Sequence, residues 1–151
     1  MGKFIGYMVT WTTYGSWLQG DKRGYVKDGK IFPKDDALSQ SNLKRPKNPS
    51  TKLNTEYCEI ARLTILNKAI EINQKIYAIA VCSNHIHIVI ERTDQSIEKV
   101  VSFYKNAALL ALREEGFNGK IWTRGFDKRF CFNREDLKNR IKYVNNHYKD
   151  D

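Results

Sequence analysis

Long apolar runs are absent from this 151-residue sequence, and cysteine and proline are both scarce. No segment approaches the roughly 18 apolar residues of a membrane span, and the opening residues do not begin a signal peptide. The three cysteines, Cys58, Cys82 and Cys131, are odd in number and far apart, which argues against a disulfide framework. We therefore expect reduced, buried thiols in a soluble, cytoplasmic protein.

Acidic residues are too few to balance the basic ones. The chain has 26 Lys and Arg against 17 Asp and Glu, which gives a formal net charge of +9 and an isoelectric point near 9.5. An excess of this size favours a polyanionic partner, most simply a nucleic acid, with an anionic membrane surface as the alternative. Aromatic residues make up 12% of the chain, which excludes a disordered basic tail.

The length fits one domain, residues 1–151, that carries a long polar insertion. All three prolines, Pro33, Pro46 and Pro49, fall between about residues 21 and 55, together with a cluster of lysines and arginines. Loops of this length within compact domains are usually functional or disordered. We interpret the segment as a basic excursion that either holds a nucleic acid or is simply solvated.

Patterns of apolar residues divide the rest of the chain into strands and helices. They predict, in order, a strand at 4–14, a helix from Thr55, strands at 75–82 and 85–91, a helix at 96–115, a strand at 129–132 and a helix reaching Tyr148. Ser83 and Asn84 supply a hairpin turn, and Asn133 caps the last helix. This order predicts an α+β fold, a ferredoxin-like sandwich with helices packed on one face of an antiparallel sheet.

Histidine is scarce too, and the positions of its three copies are the most informative feature of the sequence. His85 and His87 are two apart in a predicted strand, so both side chains leave one face of the sheet and can bind one divalent ion. His147 lies on the last predicted helix, one turn after Tyr143. If that helix docks on the sheet, the three histidines converge with one tyrosine.

Each of these features also has a simpler interpretation. A His-x-His pair in a strand is often just two polar side chains on a half-exposed face, and a histidine near a helix C-terminus often only complements the helix dipole. A closed structural zinc site needs four ligands, usually including cysteine, and no cysteine is spaced to help. The convergence of all four residues favours an open, three-ligand site of the catalytic kind.

Four segments resemble the single-tyrosine HUH transposases, and in particular the REP-associated tyrosine transposases. Residues 83–90 (SNHIHIVI) resemble the signature in which two histidines flank a hydrophobic residue. Residues 141–147 (IKYVNNH) resemble the helix in which a nucleophilic tyrosine is followed, four residues later, by a third metal ligand. Residues 122–127 (WTRGFD) and 10–24 (TWTTYGSWLQGDKRG) are similar to segments of REP-associated members.

The resemblance implies the HUH endonuclease fold and a metal-dependent, single-stranded DNA endonuclease and strand transferase. It implies that His85, His87 and His147 bind a divalent metal, Mg²⁺ or Mn²⁺. It implies that Tyr143 is the nucleophile and forms a 5′-phosphotyrosine intermediate with hairpin-bearing DNA. Related transposases either exchange tyrosine helices in a dimer or act as monomers, so a homodimer stays open. The location implied is the cytoplasm, in association with the nucleoid.

Basic side chains around the predicted nucleophile, together with one lysine on the second predicted helix, are candidates for contacts with DNA phosphates. We predict this role for Lys105, Arg124, Arg129, Lys138 and Lys142.

A rival hypothesis is a non-catalytic, domesticated relative that binds structured single-stranded DNA or RNA. A nicking enzyme of the replication-initiator or relaxase type shares the chemistry but usually needs a longer chain.

Overall fold

The computed structural model describes residues 3–16 and 50–147 in full, and residues 25–27 and 30–32 by their backbone. The elements follow one another in the order β1 (Gly6–Thr12), β2 (Tyr25–Lys27), β3 (Lys30–Phe32), α1 (Thr55–Glu71), β4 (Ile76–Val81), β5 (His85–Glu91), α2 (Ile97–Glu114), β6 (Asp127–Cys131) and α3 (Arg134–Asn145). This order confirms the predicted α+β class and adds the short pair β2 and β3. None of the described helices is both long enough and apolar enough to cross a membrane.

The main sheet has four strands in the order β4-β5-β1-β6, and all neighbouring strands run antiparallel. β1 lies in its interior and is almost entirely buried, which its β-branched and aromatic residues favour. The turn at Ser83 and Asn84 joins β4 to β5 as a hairpin, as the sequence predicts.

Alternation along the strands gives the sheet two different faces. Tyr7, Val9 and Trp11 of β1 join a large apolar core with buried side chains of α1 and α2. Met8 lies on the opposite face, where a smaller cluster contains Val144 of α3. Two helices therefore share one face, as predicted, whereas α3 covers the other, which the prediction of helices on one face did not include.

The position of α3 follows from its own apolar stripe and from the small residues beneath it. Leu137, Ile141 and Val144 are spaced at four and three and pack towards the sheet. Beneath them β1 carries Gly6, where an added Cβ would lie 2.9 Å from the Ile90 carbonyl oxygen and 3.2 Å from Leu137 Cδ1. The absence of a side chain at Gly6 lets α3 lie close to the sheet.

Helix ends differ slightly from the predicted ones. Asn133 caps α3 as predicted, because its side chain accepts from the Asp136 N–H. Asn54, rather than Thr55, caps α1 in the same way. α3 ends at Asn145, so His147 lies just beyond the helix rather than on it. Asn146 keeps a nearly helical backbone (φ −89°, ψ −4°), so the chain departs little from the path of the helix before His147.

Most of the basic excursion at about 21–55 lies outside the described residues. Within it the backbones of β2 and β3 pair antiparallel. Where the fully described chain resumes, the Thr51 N–H donates to the Tyr14 carbonyl (2.8 Å) and the Leu53 N–H donates to the Ser83 carbonyl (2.7 Å). The last residues of the excursion therefore lie beside the end of β1 and the β4–β5 turn.

Candidate active site

The two motif histidines project from β5 towards α3. His85 lies opposite Thr12 of β1, and His87 lies opposite Thr10. Cross-strand partners share a face, so both imidazoles belong to the face that carries Met8. The ring centroids of His85 and His87 are 4.9 Å apart. The predicted same-face arrangement of this pair is what the structure has.

α3 and the residues that follow it bring Tyr143 and His147 to the same place. The His147 ring centroid lies 4.8 Å from that of His85 and 4.4 Å from that of His87. The Tyr143 ring centroid lies 5.6 Å from that of His87 and 5.5 Å from that of His147. All three histidines of the chain therefore meet one tyrosine, although residues 87 and 143 are far apart in sequence.

Hydrogen bonds fix the ring of His85. Its Nδ1 lies 2.6 Å from Asn84 Oδ1, and since an amide oxygen only accepts, Nδ1 carries the proton there. The other ring nitrogen, Nε2, then presents a lone pair, and it lies 2.6 Å from His147 Nε2. A divalent cation could lie between these two facing nitrogens after a small separation of the rings.

His87 is the most buried member of the cluster, with 3% of its surface exposed. Its Nδ1 lies 2.7 Å from the equally buried Thr10 Oγ1. Burial, followed by the charges of His147 and His85, lowers the pKa of His87 to about 3. This imidazole is therefore neutral at physiological pH, and a neutral ring offers the lone pair that a metal ion needs.

The donor set of the cluster suits a divalent ion. His85, His87 and His147 offer three imidazoles, which match Mn²⁺ and other transition metals more closely than Mg²⁺. Mg²⁺ prefers oxygen and keeps several waters, so it would take its remaining ligands from substrate and solvent. The residues present therefore fit a divalent cation.

Cys82 also reaches this cluster, contrary to the expectation from the sequence. The donor atoms of Cys82, His85 and His147 all lie within 4.8 Å of one another. The expectation that no cysteine is spaced to help was wrong, because the hairpin brings Cys82 opposite His85: the Cys82 N–H donates to the His85 carbonyl (2.8 Å). The spacing Cys-x-x-His across a two-residue turn is the signal that could have revealed it.

Thr10 and Asn84 were missed as well. Each holds the Nδ1 of a motif histidine and so fixes which nitrogen faces the cluster. Asn84 could have been suspected from its place beside His85, since turn asparagines often hydrogen-bond to neighbours. Nothing in the sequence links Thr10 to His87, because that contact depends on strand order and register.

Three of the predicted DNA contacts are exposed on the side of the sheet that α3 covers. Lys138 and Lys142 are exposed on α3 and are one turn apart, which places them on one face of the helix. Arg129 of β6 lies opposite Met8, on the same face of the sheet as the cluster, and its Nε lies 3.2 Å from Asp127 Oδ2. Both charges of that pair are about half exposed, so the arginine is accessible to a phosphate.

The other two predicted contacts differ from each other. Arg124 is exposed in the segment before β6. Lys105 is half-buried on α2, and its Nζ donates to the carbonyls of Thr123 (2.8 Å) and Gly125 (3.1 Å). Burial also lowers the pKa of Lys105. Its ammonium group thus holds the segment that precedes β6, and a phosphate contact at this position stays a prediction.

An antiparallel α+β sandwich in which a pair of strand histidines faces a helix tyrosine is the arrangement that the resemblance to the single-tyrosine transposases implies. Residues 44–147 match the family described as "Transposase IS200 like". This chain belongs to that family.

The solved structures that are similar to the chain include two transposases. One is a REP-associated tyrosine transposase bound to a REP hairpin, which is 12% identical with a TM-score of 0.58, and the match covers 99% of this chain and 70% of that one. The other is a candidate transposase from Deinococcus radiodurans R1, which is 14% identical with a TM-score of 0.45, covering 97% and 92%. At such low identity the first likeness establishes the fold. No curated protein matches the sequence.

Proposed function

We propose that this protein is a metal-dependent endonuclease and strand transferase that acts on single-stranded, hairpin-bearing DNA through Tyr143. The observation that carries the proposal is the packing of the Tyr143 ring against His87 and His147, beside His85. Membership in the IS200-like family supports it, as does the REP hairpin bound to a structurally similar protein. The substrate would be met in the cytoplasm, on nucleoid DNA.

The three histidines would hold a divalent cation, Mg²⁺ or Mn²⁺. When bound, such an ion polarises the scissile phosphate and stabilises negative charge on its oxygens. His87 suits this role because burial keeps it neutral, and His85 because Asn84 leaves its Nε2 lone pair available.

Tyr143 would supply the nucleophile. Its phenol oxygen forms a bond to phosphorus while the bond from phosphorus to the 3′-oxygen breaks, which yields a 5′-phosphotyrosine and a free 3′-hydroxyl. The phenol loses one proton and the leaving oxygen gains one, so no further reactant is consumed. Because one phosphoester replaces another, a second 3′-hydroxyl can reverse the step and join a new strand.

Access and charge around Tyr143 suit a DNA strand. Tyr143 is 47% exposed, so a phosphate can approach it from solvent. Lys138 and Lys142 lie on the same helix and Arg129 on the same side of the sheet, where they would contact the backbone of the strand. All four members of the cluster meet within this one chain, and a homodimer stays open.

A covalent adduct tests the proposal. Wild-type protein is incubated with Mn²⁺ and labelled DNA hairpins that carry randomised single-stranded flanks, and the products are separated under denaturing conditions. We expect a shifted protein–DNA band that Tyr143→Phe abolishes and that a chelator prevents. Tyr77→Phe is the matched control, because Tyr77 packs in the apolar cluster on the same face of the sheet and should leave the band unchanged.

Two outcomes would count against the proposal. An adduct that persists in Tyr143→Phe would remove Tyr143 from its role as nucleophile. A wild-type protein that binds the hairpins in a native gel shift yet forms no adduct with any flank would favour the binding-only alternative.

A further inference from the structure

We propose that Cys82, His85 and His147 form a binding site for a thiophilic divalent cation such as Zn²⁺. This site would share two histidines with the Mg²⁺ or Mn²⁺ site proposed above, so the two ions would compete. The inference concerns metal binding by this chain alone, and it holds whether or not the protein cleaves DNA.

The hairpin between β4 and β5 determines where the thiol lies. The hydrogen bond from the Cys82 N–H to the His85 carbonyl continues the pairing of the two strands by one residue. The two side chains are therefore cross-strand neighbours on one face of the hairpin, and His147 approaches that face from the end of α3. One sulfur and two nitrogen donors consequently lie within 4.8 Å of one another.

The distances leave room for a tetrahedral ion. With Zn–N of about 2.05 Å and Zn–S of about 2.3 Å, a tetrahedral site needs about 3.3 Å between two nitrogens and about 3.6 Å between sulfur and nitrogen. The two Nε2 atoms, now 2.6 Å apart, would have to separate by less than an ångström, and the sulfur, within 4.8 Å of the nitrogen donors, would have to approach by up to about 1.2 Å. Rotations of the His147 ring, which lies past the end of α3, can supply that movement.

The chemistry of the donors favours a soft or borderline ion over Mg²⁺. Thiolate and imidazole are the usual ligands of Zn²⁺ and Co²⁺, whereas Mg²⁺ takes oxygen ligands almost exclusively. Binding would convert the Cys82 thiol to a thiolate and release one proton to solvent. Three protein ligands leave one tetrahedral position for water or a phosphate oxygen.

Cobalt absorption tests the proposal without DNA. Titration of wild-type protein with Co²⁺ should produce the near-ultraviolet charge-transfer band of a thiolate–cobalt bond together with the visible bands of tetrahedral cobalt. Cys82→Ala should lose the thiolate band and weaken Zn²⁺ binding by at least about tenfold. Cys58→Ala is the control: Cys58 packs on the other face of the sheet, so this variant should keep both signals.

The proposal is overturned if the Co²⁺ spectrum of the wild type has no thiolate band. It is also overturned if the thiolate band survives in Cys82→Ala. Because Cys82 is buried and its replacement could impair folding, a second measurement uses the wild type alone. The ¹¹³Cd resonance of the bound ion moves downfield with each thiolate ligand, and a shift typical of nitrogen and oxygen ligands only would refute the proposal. Both readouts are independent of the covalent adduct, so failure of the cleavage reaction would leave them unaffected.

Discussion

Replacement of Thr10 by valine is expected to weaken the histidine cluster, because it removes the hydrogen-bond partner of His87. Thr10 Oγ1 lies 2.7 Å from His87 Nδ1, and both residues are 3% exposed. When Nε2 of His87 binds a cation, Nδ1 must carry the ring proton and donate it to Oγ1. Valine has nearly the same shape but no acceptor, so Thr10→Val would leave a buried N–H without a partner.

This geometry predicts the size of two effects, a loss of folding stability and a loss of metal affinity. An unsatisfied buried donor or acceptor costs about 1 to 3 kcal/mol, so the free energy of unfolding should fall by that amount even without metal, whichever ring nitrogen of His87 carries the proton. Loss of a partner that orients a metal-binding histidine typically weakens metal affinity by about 10- to 100-fold, or about 1.4 to 2.7 kcal/mol. Both effects should appear together in Thr10→Val.

Urea denaturation in chelator measures the first effect, and Mn²⁺ affinity by competition with a fluorescent indicator measures the second. Thr64→Val is the matched control, because the Thr64 hydroxyl donates to the Ile60 carbonyl within α1, away from the cluster. It should leave Mn²⁺ affinity unchanged. The reasoning is refuted if Thr10→Val binds Mn²⁺ as tightly as the wild type, or if Thr64→Val loses as much affinity.

Two further predictions concern the packing of α3 on the sheet and the segment that precedes β6. Gly6→Ala should lower the free energy of unfolding by about 1 to 3 kcal/mol in urea denaturation. The new methyl group would meet the rigid Ile90 carbonyl and push Leu137 of α3 away. Unchanged stability would show that α3 does not pack closely against Gly6. Lys105→Met should cost about 1 to 2 kcal/mol in the same assay, because two carbonyls of the segment before β6 lose their cationic donor. Weaker DNA binding at unchanged stability would instead assign Lys105 to a phosphate contact.

Local patterns predicted the elements of this fold well. The strands around His85 and the helix around Val100 carry strong two-residue and three-to-four-residue periodicities, and both lie where these patterns indicate. The last helix was predicted to extend past His147, but it ends at Asn145. Helix ends depend on competition between nearly equivalent hydrogen bonds, which sequence periodicity does not resolve.

The face on which α3 packs could not be predicted from its own sequence. An apolar stripe at Leu137, Ile141 and Val144 predicts that the helix is amphipathic, but it does not say which surface receives it. The small side chains at Gly6, Ala78 and Ala80 make room for it, and they come together only when three strands pair.

The sequence by itself determined which residues are available for chemistry: two histidines on one face of a strand, and a tyrosine followed one turn later by a third histidine. These relations are local, and they follow from the repeat of a strand and of a helix. Only the tertiary structure decided that the two sets meet, and that Cys82 and Thr10 join them. Strand order, register and the docking face of α3 depend on contacts between distant segments, and those contacts bring the cluster together.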